Sequence, residues 1–123
     1  MWRKVLVSAA LMVACCPAHA ANLSAADAVL LIDRGSGEVE MFVVGISDGL
    51  EWANVSNLRK RAPQLYCLPE KLGLTNDQII SILREYVKAN PKEASLPVGL
   101  VLRSAMEETF PCKASVREDA TAH

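Results

Sequence analysis

Histidine is nearly missing from this chain, and that shortage excludes more chemistry than any other. Of its two histidines, His19 lies in an apolar N-terminal leader and His123 is the last residue. A folded domain built from the rest has no imidazole for a Ser-His or Cys-His pair. With so few cysteines and histidines, a closed zinc site is equally short of ligands. Aromatic residues make up only 5% of the chain, a mix that suits Leu, Val, Ile and Ala helices better than a β-sandwich. A concentrated basic face, which a nucleic-acid partner would need, is also absent. The reading is of a protein that is not an enzyme and holds no catalytic residue, cofactor or metal.

What is present begins with Met1-Trp2-Arg3-Lys4, an apolar run from Val5 to Cys16, and Pro17-Ala18-His19-Ala20. A basic start, a short apolar stretch and an Ala-x-Ala end read as a secretory signal peptide over residues 1–20, cleaved after Ala20. The run is shorter than the roughly 20 residues that span a bilayer. The minor alternatives are an uncleaved anchor and a lipoprotein box, Met12-Val13-Ala14-Cys15, with Cys15 bearing the lipid. Export implies a periplasmic location. Without Arg3 and Lys4, the thirteen basic residues fall to eleven against fourteen acidic ones, a net charge near −3. Cys15 and Cys16 leave with the signal, so two of the four cysteines remain, Cys67 and Cys112. In an oxidising compartment such a pair is expected to form a disulfide.

The mature chain reads as one small all-α domain, a four-helix domain over residues 21–112, with a polar flexible tail over 113–123. The first helix runs from about Ser24 to Asp33, with Ser24 as N-cap, Asp27 at capping-box spacing, and Ala28, Leu31 and Ile32 on one face. Gly35-Ser36-Gly37 breaks it. The second runs from about Glu38 to Val55, or as far as Arg61. Its apolar stripe is Phe42, Gly45, Ile46, Gly49, Leu50 and Ala53. Each glycine costs about 1 kcal/mol of helix propensity; its expected return is close approach of another helix, the alternative being a merely tolerated glycine. Residues Ala62 to Leu74 form a loop with Pro63, Pro69 and Gly73. Thr75 to Gln78 is a capping box opening a third helix, Asn76 to Ala89, with Ile79, Leu83, Tyr86 and Val87 inward. A fourth starts near Ser95-Leu96-Pro97 and ends at Phe110-Pro111-Cys112, with Val98, Val101, Leu102, Ala105, Met106 and Phe110 inward. The short connection makes the last two helices an antiparallel hairpin. One disulfide, Cys67 to Cys112, would then close the open end of that C-terminal hairpin.

Other motifs have plain readings. Glu107-Glu108 is a solvated pair, because adjacent helical residues do not face each other. Asp48 is a lone surface carboxylate or loop cap. Arg59-Lys60-Arg61 is a solvated helix end, or a contact for an acidic protein partner. Asn54-Val55-Ser56 matches a glycosylation acceptor. Trp52, the only tryptophan after the signal, is read as a core residue, with an exposed anchor as the alternative.

Tyr66-Cys67-Leu68-Pro69-Glu70, the Thr75 to Val87 helix, Asn90-Pro91, Leu96-Pro97 and Phe110-Pro111-Cys112 together resemble the Rap-type, also Tai-like, immunity proteins of type VI secretion. Phe42 to Leu50 resembles that family's Gly-x-x-Asp-x-Leu helix. The likeness covers roughly Ala25 to Cys112. It implies a small periplasmic helical protein, often a homodimer, that occludes a peptidoglycan amidase effector. It also implies that Cys67 and Cys112 are the family's disulfide pair. A further cysteine pair that ties the first two helices in many members is missing here. Contacts with the effector are assigned to the loop and the basic cluster: Arg59, Lys60, Arg61, Gln64, Tyr66 and Glu70. No nucleic acid is expected, and no membrane beyond export. The alternative functions are an acid-stress periplasmic chaperone and an envelope-assembly subunit.

Overall fold

Three serine or threonine hydroxyls start three of the four helices. In the computed structural model, which describes residues 23–113, the elements are α1 (Ala25–Asp33), α2 (Gly37–Arg59), α3 (Asn76–Ala89) and α4 (Val98–Thr109). The expected signal, Cys15 and nearly all of the polar tail lie outside the described residues. Ser24 Oγ accepts from the Asp27 amide at 3.1 Å and donates to the Asp27 carboxylate at 2.8 Å. Ser36 Oγ accepts from the Val39 amide at 3.3 Å. At Thr75 the capping box is complete, with Gln78 N donating to Thr75 Oγ1 at 3.2 Å and Thr75 N donating to Gln78 Oε1 at 2.9 Å.

The remaining free amides of α1 are met by tertiary structure. Ala25 N donates to Leu96 O at 3.0 Å, and Ala26 N donates to Ala94 O at 2.9 Å. In return, Val98 N at the start of α4 donates to Leu23 O at 2.9 Å. The α3–α4 connection and the entry to α1 thus satisfy each other's backbone groups, which would otherwise need water. Pro97 has no amide to lose and serves as the N-cap of α4, one residue before the helix begins.

Helix ends follow from backbone conformation. Gly35 sits at φ +91°, and the amides of Gly35 and Ser36 return to Ile32 O and Leu31 O at 2.9 Å each. That is a Schellman ending, in which glycine avoids a Cβ clash. The same pattern ends α2, where Arg61 N and Ala62 N return to Leu58 O and Asn57 O at 3.1 and 2.8 Å. Here a non-glycine, Arg61, takes the left-handed position at φ 55°.

Every pair of helices is in contact, so all four contribute to one core. It contains Ala25 and Ala28 from α1, Val43 from α2, Ile79, Ile80 and Leu83 from α3, and Val98, Val101, Leu102 and Met106 from α4. Each fully buried leucine contributes about 2 kcal/mol. The α3 and α4 faces match the sequence pattern. Phe110 lies beside Leu74, Gln78 and Ile82 near the start of α3, and Tyr86 approaches Ser104 further along, so the two helices are antiparallel. Arg84 of α3 pairs with Asp33 at the end of α1, with 2.6 Å between Nη2 and Oδ1.

The face of α2 differs from expectation. Val43, Val44, Ser47 and Asn54 are buried, while Phe42 is exposed and Ile46 and Leu50 are only partly covered. Gly45 and Gly49 point outward, and a Cβ at either would meet nothing within 4 Å. Among the described residues, no helix therefore approaches them. The close glycine contact is at Gly99 of α4, 3.7 Å from Ile46 Cγ2. Trp52 is 71% exposed and not in the core. Leu31 on α1 likewise faces outward. The reason is that α2 is apolar almost all round near its start, so hydrophobic spacing alone does not choose a face.

Cys67 and Cys112 are disulfide-bonded, with Cα atoms 4.8 Å apart across 45 residues of sequence. Cys67 N also donates to Phe110 O at 2.8 Å. Opening a loop of this length forfeits about 4 kcal/mol in the chain-entropy account. A Cys67→Ala/Cys112→Ala variant is expected to melt at least about 15 °C lower than wild type, as read by circular dichroism.

Candidate functional site

The most strongly held irregular segment is the loop between α2 and α3, and a polar residue on the buried side of α2 holds it. Asn54 is 6% exposed. Its Nδ2 donates to Tyr66 O at 2.9 Å, and its Oδ1 accepts from Leu65 N at 2.7 Å. One side chain thus replaces a two-stranded backbone exchange. One turn further on, Asn57 Nδ2 donates to Pro63 O at 2.9 Å. Together with the disulfide, these bonds fix the loop at Pro63, Leu65, Tyr66 and Cys67. A Pro69-to-Leu72 turn follows, closed by Leu72 N donating to Pro69 O at 3.1 Å.

Asn54 is therefore a structural residue. The glycosylation reading of Asn54-Val55-Ser56 does not fit the fold, because both polar atoms of that amide are already engaged in the interior. Its signal in the sequence was positional: Val43, Ser47, Leu50 and Asn54 lie on one side of an α-helix.

The residues assigned to partner contact separate into two groups. Arg59, Lys60, Arg61 and Glu70 are exposed at the same end of the bundle, and Gln64 is half-buried. Gln64 Oε1 lies 3.5 Å from Cys67 Sγ; a disulfide sulfur carries no hydrogen, so this is a packing contact. Tyr66 is the exception. At 1% exposure it belongs to the core and offers no surface to a partner. It supports the loop from beneath. Beside the loop, Leu72, Leu74, Gln78, Ile82 and Phe110 line an open groove of about 370 Å³. Sequence reading did not find this groove, because its walls come from the loop, α3 and the end of α4.

Among the described residues, Glu107, Glu108 and Asp48 form no paired acid site. Glu107 Oε1 accepts from Arg103 Nε at 2.9 Å, and Glu108 and Asp48 are exposed. Burial first, then the negative charge of Glu51, pushes the Tyr66 phenol above its ordinary value. For Tyr86 the first cause is its hydrogen bond to Glu93, at 2.7 Å, then burial. In both cases the folded state holds the proton more tightly than the unfolded chain does. Stability from these phenols is intact below about pH 10 and is lost as pH climbs from there to the raised folded values.

Two measurements check this account. Asn54→Ala leaves Leu65 N–H and Tyr66 C=O unpaired and is expected to cost about 3 kcal/mol in urea unfolding. Asn57→Ala, at an exposed bond, is expected to cost about 1 kcal/mol or less. The chain has two tyrosines, so an ultraviolet phenolate titration reads both directly. Both are expected to ionise above pH 10, with denaturant stability falling over the same range.

No curated protein and no solved structure significantly matches the chain. A family model described as Rap1a immunity proteins does match, over residues 8–112. The match takes in all four helices, the clamped loop and both cysteines of the disulfide. On that match, the chain is a member of the Rap1a immunity protein family.

Proposed function

We propose that this immunity protein is exported to the periplasm, loses its signal after Ala20, and there blocks a peptidoglycan amidase delivered by type VI secretion. Family membership carries the proposal, and the physics of the clamped loop supports a mechanism. Inhibition is steric: the loop end of the bundle enters the amidase cleft and excludes substrate. A loop already held by Asn54, Asn57 and the disulfide has little freedom to lose. That matters because ordering costs about 0.5–1.5 kcal/mol for each side chain immobilised at an interface. Arg59, Lys60, Arg61 and Lys71 make this end mostly basic, with Glu70 among them, which suits an acidic cleft rim. Leu72 and the neighbouring groove supply apolar area. The disulfide fits an oxidising compartment. In this reading the working form is a pair of copies.

The experiment is co-expression with amidase effectors encoded beside the gene, each directed to the periplasm. The exported chain is expected to prevent lysis, and the same chain without residues 1–20 is expected not to. A Lys60→Ala/Arg61→Gly variant keeps the fold, because glycine suits the left-handed position. It is expected to bind the amidase at least about tenfold more weakly, with a reduced salt dependence. Failure to bind or protect against every such amidase would sink the proposal.

A further inference from the structure

The groove beside the loop does not end at Ile82. A second open cavity of about 410 Å³ adjoins it, walled by Glu85, Tyr86, Glu108 and Thr109 and sharing Ser81 and Ile82 with the first. The two form one trough along the seam between α3 and α4. Asp77, Ser81, Glu85 and Ala89 follow one another at four-residue steps on α3, so they make a single exposed rim. At 1.5 Å per residue that rim is about 18 Å long. Ile82, Tyr86 and Phe110, half-buried and packed against the core, give the trough a largely apolar floor. The rim is acidic. Asp77, Glu85 and Glu108 are exposed, and among the described residues no lysine or arginine forms an ion pair with them. Arg84 is committed to Asp33 and Arg103 to Glu107, and Lys88 stands one turn beyond Glu85 without pairing with it.

An apolar floor favours being covered, but a neutral cover would strand the rim carboxylates away from water. A cover that carries positive charge beside apolar groups meets both demands. We infer that the trough seats an extended segment of the amidase that bears lysine or arginine, with apolar side chains down on Ile82 and Phe110 and cationic ones out to Asp77, Glu85 and Glu108. Successive side chains of an extended chain point to opposite sides, and at about 3.3 Å per residue the trough takes about five or six residues. Nucleic acid and anionic headgroups are repelled by the same rim. The assignment rests on the immunity reading for the identity of the partner and deepens it. The loop end offers mostly positive charge, and the trough that adjoins it offers negative charge. Opposite charges on adjoining surfaces fix the orientation in which a partner docks.

A synthetic hexapeptide of alternating leucine and lysine, capped at both ends, tests the chemistry without any amidase. It is titrated into the isotope-labelled, disulfide-bonded protein and followed by amide NMR. Saturable binding is expected, with Kd between about micromolar and about millimolar and shifts concentrated at Ser81, Ile82, Glu85, Thr109 and Phe110. Glu85→Gln/Glu108→Gln is expected to bind at least about tenfold more weakly. Ser81→Lys is expected to abolish binding, because its own ammonium occupies the trough. It is also expected to melt no lower than wild type, because it stands one turn from both Asp77 and Glu85. Glu38→Gln/Glu40→Gln, at the start of α2, and Lys60→Ala/Arg61→Gly, at the loop end, are expected to bind the peptide within about twofold of wild type. No saturable binding, equal binding of a leucine–glutamate hexapeptide, or indifference to Ser81→Lys would overturn the assignment while leaving the immunity reading intact. A chain ending at Lys113 that binds the peptide at least about tenfold more tightly would give the trough to residues 114–123 instead, and overturn it too. With a cognate amidase, Ser81→Lys is expected to weaken the complex at least about tenfold; an unweakened complex would overturn the assignment.

Discussion

The Asn54 amide is the interaction on which the shape of this molecule depends most. It takes its place on the buried side of α2 and engages the backbone of Leu65 and Tyr66. Those bonds set Tyr66 into the core and hold Cys67 where it can reach Cys112. The disulfide then closes the end of the bundle at which α2, the loop, α3 and α4 meet. A buried amide with both polar atoms engaged stabilises modestly; one left unpaired costs much more. That asymmetry makes the loop's conformation close to all-or-none.

A second exchange holds the opposite kind of junction. The first amides of α1 donate to carbonyls of the α3–α4 connection, and the first amide of α4 donates back to Leu23. Helix starts present free N–H groups that seek acceptors, and here those donors are spent on each other's chain. One set of bonds secures the bundle where α1 enters, and the disulfide secures it at the loop. Between them lies a core of mostly aliphatic side chains. The molecule is left with two distinct outward features, a mixed basic and apolar loop end and an apolar stripe along α2. A binding protein needs such surfaces held still, and nothing in that task requires an imidazole.

Much of the fold was legible in the sequence because it rests on local chemistry. Thr75 and Gln78 are spaced for a capping box, and the box forms. Gly35 can adopt a left-handed backbone, and the chain turns there. Val98 through Met106 recur at helical spacing, and that face is buried. The loop's position followed from Pro63, Pro69 and Gly73, which disfavour helix. The candidate contacts at Arg59, Lys60, Arg61 and Glu70 are charged residues at a helix end and in a loop, so exposure followed from their type. Tyr66 did not follow, because a phenol is at home on either side of a surface and only its neighbours decide.

The sequence by itself thus determined where the helices begin and end, and that the domain is all-α. Tertiary structure alone decided the rotation of α2, the burial of Asn54 and Tyr66, and the exposure of Trp52, Gly45 and Gly49. The physical reason is that caps and turns are contests between neighbouring groups in the chain. The orientation of a helix with apolar residues on several sides is settled by which face finds partners, and for α2 those partners are the loop and the other helices.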